Sequence, residues 1–179
     1  MTESSDQIAA IAARAASRHA HHEAGHAVAA VARGGILEAI VLGTAEWTRL
    51  DDYADTPGWT RHVSAPAHQP FVTYAGPWAE AMWEFENEPG SEDFCEILLL
   101  AWAENSDGDT AKYERTVASL EQIAKALGLG GVVGRAWEQD WEQELDDLWP
   151  VICEIAMALE CGEAVSHERI VEAIERHRE

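Results

Sequence analysis

Apolar residues recur along this chain at two periods, helical over most of its length and strand-like over two short runs. Ile8, Ile11 and Ala15 fall three to four apart, behind Ser4, Ser5 and Asp6 as N-cap candidates, which predicts a helix from Gln7 to about His19. An alanine-rich run follows; Ser17 offers a second start and Gly34-Gly35 a stop. Ile36 to Leu42 is short, branched and apolar, a strand buried on at least one face. Asp51, Asp52 and Asp55 mark a polar loop and Pro57-Gly58 a turn. Trp59 to Val63 then alternates, as a second strand at the sheet edge would.

Helical spacing returns with Tyr74, Trp78, Met82 and Phe85, interleaved with the small residues Ala75, Gly76 and Ala79 that permit close helix contact. Pro77 predicts a kink or a fresh start. Asn87 to Gly90 reads as a loop and Phe94 to Glu104 as a further apolar helix. Asn105 to Thr110 reads as a loop leading into a helix that reaches Leu127, with Tyr113, Val117, Leu120, Ala124 and Leu127 as its buried face. After a hinge-like Gly128–Gly134 stretch, Trp137, Trp141, Leu145, Leu148 and Trp149 form a core stripe broken at Pro150. Val151 to Leu159 continues it, and Ser166 opens a last helix docked by Ile170, Val171 and Ile174.

These elements define an α+β, predominantly α-helical class. A length of 179 residues with 47% hydrophobic positions and eight tryptophans is enough for one core, and one domain is the default. Within it we distinguish an N-terminal helix extension (1–17), a metal-site region (18–127) and C-terminal helices (135–179). Twelve basic against 33 acidic residues give a net charge of −21. Such a surface repels phosphate backbones and anionic lipid heads, which argues against nucleic acid and membrane partners. No apolar run approaches the ~20 residues of a membrane span. The N-terminus lacks a secretory pattern, and Cys95, Cys153 and Cys161 form no C-x-x-C, so the expectation is a cytoplasmic protein with reduced packing cysteines.

Chemistry concentrates at His22-Glu23-Ala24-Gly25-His26, a His-Glu-x-x-His on a helix. Residues four apart share a helix face, so His22 and His26 can aim two nitrogens at one point and supply half of a tetrahedral zinc site. Glu23, one step round the helix, would stand beside the metal as general base toward a metal-activated water. Gly25 costs helix stability, and its expected purpose is close approach of another backbone. His19 shares the face but lies roughly 10 Å from His26 along the axis, too far for one metal to bridge; His19 and His21 are expected at the surface or behind the ligands. His62 and His68, near the edge strand, are placed to touch substrate, and His167 and His177 are expected to be exposed. A solvated histidine-rich helix is the competing reading.

A third ligand must come from elsewhere. Counting back from Tyr113 at about 100° per residue puts Asp109 on the apolar face and Asp107 well away from it, so Asp109 is the first choice and Asp107 a helix cap. Glu80, a carboxylate on an otherwise apolar helix, is the rival third ligand.

Taken together, these residues resemble the peptidase domain of FtsH-type zinc proteases over about residues 18 to 177. His22 to Val28 looks like that family's zinc motif, and Gly58-Trp59-Thr60 like the Gly-aromatic-Thr start of its substrate-binding edge strand. Ala75-Gly76-Pro77-Trp78-Ala79-Glu80 is similar to its Ala-Gly-x-x-Ala-Glu helix. Ser106 to Asp109 sits where the family carries its third ligand, and Ala158-Leu159 through Glu168 is similar to its closing helical pair. The chain departs from the family in offering two aspartates, Asp107 and Asp109, and in having no Gly-x-x-x-x-Gly-Lys-Ser/Thr and no membrane anchor.

The resemblance implies a zincin-like helical domain with a small two- to three-stranded sheet beside the zinc helix. It implies Zn2+ on His22, His26 and Asp109 (with Glu80 and Asp107 as rivals), Glu23 as catalytic base, and Gly58, Trp59, Thr60 and Arg61 as substrate contacts. The expected activity is ATP-independent hydrolysis of peptides or unfolded segments, with homo-oligomerisation left open. The alternative is a catalytically inactive module that binds a peptide or protein partner.

Overall fold

The structure, a computed structural model, describes residues 5–43, 58–87, 93–128 and 136–178, with the side chains at 5, 106–107 and 136–139 outside that description. The loop and turn expectations at 51–57, 88–90 and 129–134 lie outside the described residues, as do the side chains of Asp107 and Trp137. Six α-helices and one two-stranded sheet make up the described fold, which is predominantly helical as expected.

Helix α1 runs unbroken over Ser5–Ala32, so the two helices considered at Ser17 are one. Ser17 does not cap; its hydroxyl donates instead to Glu160 (2.9 Å), at the end of the helix that spans Ala136–Glu160. From Ala20 to Val31 the helix is buried on all sides, as an apolar helix without a polar face must be. It ends in a Schellman closure: Gly34 takes the left-handed conformation (φ +74°), and the N–H groups of Gly34 and Gly35 return to the carbonyls of Val31 and Ala30. The chain then enters β1 (Ile36–Val41), which pairs antiparallel with β2 (Trp59–Val63) in the register Ile36–Val63 to Val41–Trp59, with an irregularity between Leu37 and Ala39.

A single 3₁₀ turn at Pro66–His68 leads into α2 (Gln69–Asn87). This helix passes through Pro77 without interruption, and residues 70–81 are buried. Its contact with α1 explains both central glycines. A Cβ on Gly25 would fall 2.4 Å from the Ala75 carbonyl oxygen and 2.8 Å from Ala79 Cβ, which bears out the expected backbone approach. A Cβ on Gly76 would strike the His26 ring at 2.4 Å. The two helices interlock at glycines, and α1 is thereby held at fixed depth against α2.

Helix α3 (Phe94–Glu104) is capped by Asp93, whose carboxylate accepts from the Cys95 N–H at 2.9 Å. A π-helical turn (Ser106–Thr110) then replaces the loop expected there and leads into α4 (Ala111–Ala126). The buried face expected for α4 is not formed: the helix has no buried residue, and Leu127 just beyond it is 68% exposed. Only the start of α4 is anchored, by Tyr113 against Trp102 (5.3 Å between rings) and Tyr74 (6.4 Å). Helix α5 (Ala136–Glu160) continues through Pro150, where a break was expected, and buries Trp141, Leu145 and Leu148 as anticipated. Helix α6 (His167–Arg178) starts at Ser166, whose hydroxyl accepts from the Arg169 N–H, and docks through Ile170 and Ile174.

The core gathers Val28, Phe71, Trp78, Leu145, Ile152, Ile155 and Ile170, from α1, α2, α5 and α6. Among the described residues no helix is long and apolar enough to cross a membrane.

Candidate metal centre

The spacing on α1 does what helix geometry requires. His22 and His26 stack one turn apart with their rings edge to face, 4.8 Å between centroids, and their Nε2 atoms lie 3.1 Å from each other. The π turn brings Asp109 against both: its Oδ2 is 3.0 Å from His22 Nε2 and 3.0 Å from His26 Nε2. Thr110 fixes that turn by donating its hydroxyl to the Trp102 carbonyl at 2.7 Å, and the Thr110 N–H closes it on the Asn105 carbonyl. The helical count that chose Asp109 assumed α geometry, whereas the residue lies on a π turn; it nonetheless faces the histidine pair.

The far side of each ring decides what the near side can do. His22 Nδ1 lies 2.8 Å from Glu80 Oε2, and His26 Nδ1 lies 2.7 Å from the Val72 carbonyl oxygen. A carboxylate and a carbonyl only accept, so both Nδ1 atoms are assigned the hydrogen and donate it. In the neutral rings both Nε2 lone pairs are then bare, and they converge on an anionic oxygen. Three acceptors facing one another are repulsive unless a cation joins them, and one proton can bridge only one edge of the triangle. Tetrahedral ligands at 2.0–2.1 Å from zinc would stand about 3.3 Å apart, close to the 3.0–3.1 Å found here before any ion draws them to its radius. The donor set fits zinc.

Without a metal, a proton on His22 takes the place of that cation on one edge of the triangle. Burial works against a charge on His22, yet the hydrogen bonds to Asp109 and Glu80 outweigh it and raise its pKa to about 10. Burial likewise opposes ionisation of Asp109, but His26 and His22 hold its carboxyl well below the usual range. Glu80, nearly inaccessible, stays ionised against its burial because His22 and Arg18 face it.

Glu80 therefore stands behind His22, on the side away from Asp109, and not in the ligand position considered for it. Arg18 Nε holds its other oxygen at 3.2 Å while Arg18 also reaches Glu104 (3.0 Å) and Glu84 (3.5 Å), and Asn105 approaches at 3.5 Å. Sequence reasoning missed Arg18, whose only signal is its place one turn before His22. His21 was expected at the surface or behind the ligands; it is buried, set between Trp83 and Trp149 with Nδ1 on the Ser17 carbonyl, so it packs and does not ligate. His167 is half-buried and accepts the Leu37 N–H at 3.3 Å at the outer edge of β1, where exposure was expected. His68 bonds the Arg33 carbonyl.

Glu23 sits beside the triangle, tied to β2. The Thr60 hydroxyl is 2.6 Å from Glu23 Oε2 and 3.1 Å from the Glu23 carbonyl oxygen. Gly58 leaves room for this: a Cβ there would come within 2.8 Å of Glu23 Cγ. Strand alternation splits the residues expected to touch substrate. Thr60 turns inward, while Trp59 and Arg61 lie on the outer face with Arg61 on Glu38 at 2.8 Å and its guanidinium 5.7 Å from the Trp59 ring.

No family model matches this chain, and no curated protein or solved structure is significantly similar to it.

Proposed function

We propose that the chain is an ATP-independent zinc metallopeptidase of zincin-like architecture, akin to an FtsH-type peptidase domain, acting on peptides or unfolded segments. The observation that carries this reading is the convergence of His22 Nε2, His26 Nε2 and Asp109 Oδ2, each within 3.1 Å of the others, with both imidazole Nδ1 hydrogens committed elsewhere. Zinc bound there would polarise a water and a peptide carbonyl at its remaining position. A purely structural zinc prefers four protein ligands, and among the described residues this cluster offers three.

The chain's own groups supply the rest. Glu23 takes the proton from the attacking water and hands it to the leaving amine. Thr60 holds the Glu23 carboxylate toward β2, so an extended substrate pairing with that strand meets the base in register. Glu80 and Val72 fix the imidazole tautomers that leave both Nε2 atoms free for metal.

The test pairs metal analysis with cleavage of unfolded peptides. Glu23→Gln is expected to retain zinc and lose cleavage by about 10²- to 10⁴-fold, whereas His22→Ala loses both. Equal cleavage by wild type and Glu23→Gln would remove the base from the mechanism, and absence of metal from wild-type protein under zinc-replete conditions would remove the centre.

A further inference from the structure

Arg18 stands one helical turn before His22, on the same side of α1. Its side chain is only 11% exposed and faces three carboxylates from two other helices. Nε pairs with Glu80 Oε1 at 3.2 Å, and Nη1 pairs with Glu84 Oε1 at 3.5 Å and with Glu104 Oε2 at 3.0 Å. Glu80 and Glu84 lie one turn apart on α2, whereas Glu104 is the last residue of α3. A planar guanidinium with fixed N–H directions holds such a set in one geometry, which the point charge of a lysine does not.

The chain beyond Glu104 links this cluster to Asp109. Asn105 ends α3 and opens the π turn. Its carbonyl accepts the N–H groups of Gly108 (3.0 Å) and Thr110 (3.3 Å), the residues on either side of Asp109. Its side-chain amide donates to the Ala101 carbonyl at 2.9 Å and reaches Glu80 Oε2 at 3.5 Å, the same oxygen that accepts from His22 Nδ1 at 2.8 Å. Glu80 therefore meets both halves of the candidate centre: one oxygen lies between the back of His22 and the root of the turn, and the other is on Arg18. Glu104 is half-exposed, and an ion pair to such a group alone contributes little. Sharing one enclosed guanidinium with Glu80, it ties the end of α3 to the helix that carries the histidines.

We propose that Arg18 is a positioning residue that keeps the two halves in register, holding the Asp109 turn on the histidine pair before a metal arrives; as a statement about metal affinity it rests on the metal-centre reading above. A ligand already in place costs less to order when the ion binds, which is how a residue acting through Glu80 and Glu104 raises affinity.

The sign of the effect separates positioning from plain electrostatics. Arg18 is a positive charge near the site, so charge alone dictates tighter zinc binding once it is removed. Arg18→Met in the full-length protein is expected instead to bind zinc about 10- to 100-fold more weakly in competition with a chelator. Arg18→Lys keeps the charge and loses the fork, and is expected to fall between Arg18→Met and wild type, where charge alone predicts no change. Amide exchange on metal-free protein reads the same role without zinc. The Gly108 and Thr110 N–H groups are expected to lose protection in Arg18→Met and in Glu104→Gln, while those of α1 beyond His22 and of α5 keep theirs. Should Arg18→Met fail to fold, Arg18→Lys and the half-exposed Glu104→Gln decide the matter. If wild type takes up no zinc, the metal-centre reading fails, and the exchange series still decides whether Arg18 docks the turn. Unchanged or tighter zinc binding in the Arg18 variants, exchange at Gly108 and Thr110 equal to wild type, or a uniform loss of protection across the chain overturns the proposal.

Discussion

The two halves of the candidate metal centre are built to different standards. The histidine half rides on α1, buried on every side from residue 20 to 31 and locked to α2 through Gly25 and Gly76. The carboxylate half arrives on a π turn, between an α3 whose Leu99 and Leu100 are 69% and 64% exposed and an α4 with no buried residue. The first half cannot move without opening the core; the second is held by Trp102, Tyr113 and one threonine hydroxyl. π turns recur at functional sites because their extra residue re-aims a side chain. Here it turns Asp109 onto a pair of nitrogens that cannot come to meet it.

That contrast can be broken most forcefully at the glycines. Gly25→Ala must push α2 away by its own backbone carbonyl and should cost about 3 kcal/mol. Gly108→Ala, on the π turn with nothing within 4 Å of its Cβ, should stay within about 0.5 kcal/mol. Paired denaturant curves check both, and equal losses would erase the distinction.

Next in size is Glu80→Ala, which frees His22 Nδ1 and leaves Arg18 to Glu84 and Glu104 while keeping all three candidate ligands. Metal affinity should fall about 10- to 100-fold in competition with a chromophoric chelator, and an unchanged affinity would make Glu80 a packing residue.

The pH dependence sharpens the picture further. His22 has a folded pKa raised to about 10 from 6.5, so metal-free protein gains stability from its charge below about pH 6.5. That gain is lost as pH rises toward 10. Zinc must displace the same proton, so affinity should climb by about tenfold per pH unit over part of that range. Thermal melts of metal-free and zinc-loaded protein from pH 6 to 9.5 should therefore diverge, and parallel curves would sink the shared-proton account.

The smallest effect belongs to α4. Leu127→Ala should change stability by less than about 0.5 kcal/mol, against about 2–5 kcal/mol for Leu145→Ala in the core; a large loss at Leu127 would mean that its face is covered after all.

Legibility in the sequence followed the same divide. The histidine pair, Glu23 and the glycine contact were readable because helix spacing and a helix-breaking residue in a buried helix are local facts. Both strands were readable for the same reason. Asp109 was chosen by a phase count through an α-helix that is in fact a π turn, and one inserted residue is invisible to periodicity. The stripe from Val117 to Leu127 looks identical whether or not something covers it, so amphipathic spacing overstated its burial. Glu80 stood out as a charge on an apolar helix, but whether it meets a metal or the back of an imidazole depends on which ring nitrogen faces it. His21 was misjudged because Trp83 and Trp149, distant in sequence, enclose it.

The two histidines are also oriented by partners of different kinds. His22 leans on a side chain, and every substitution at position 80 retunes it. His26 leans on the main-chain oxygen of Val72, which no substitution at that position deletes. Mutational drift can thus retune the candidate centre through one imidazole while the other stays anchored.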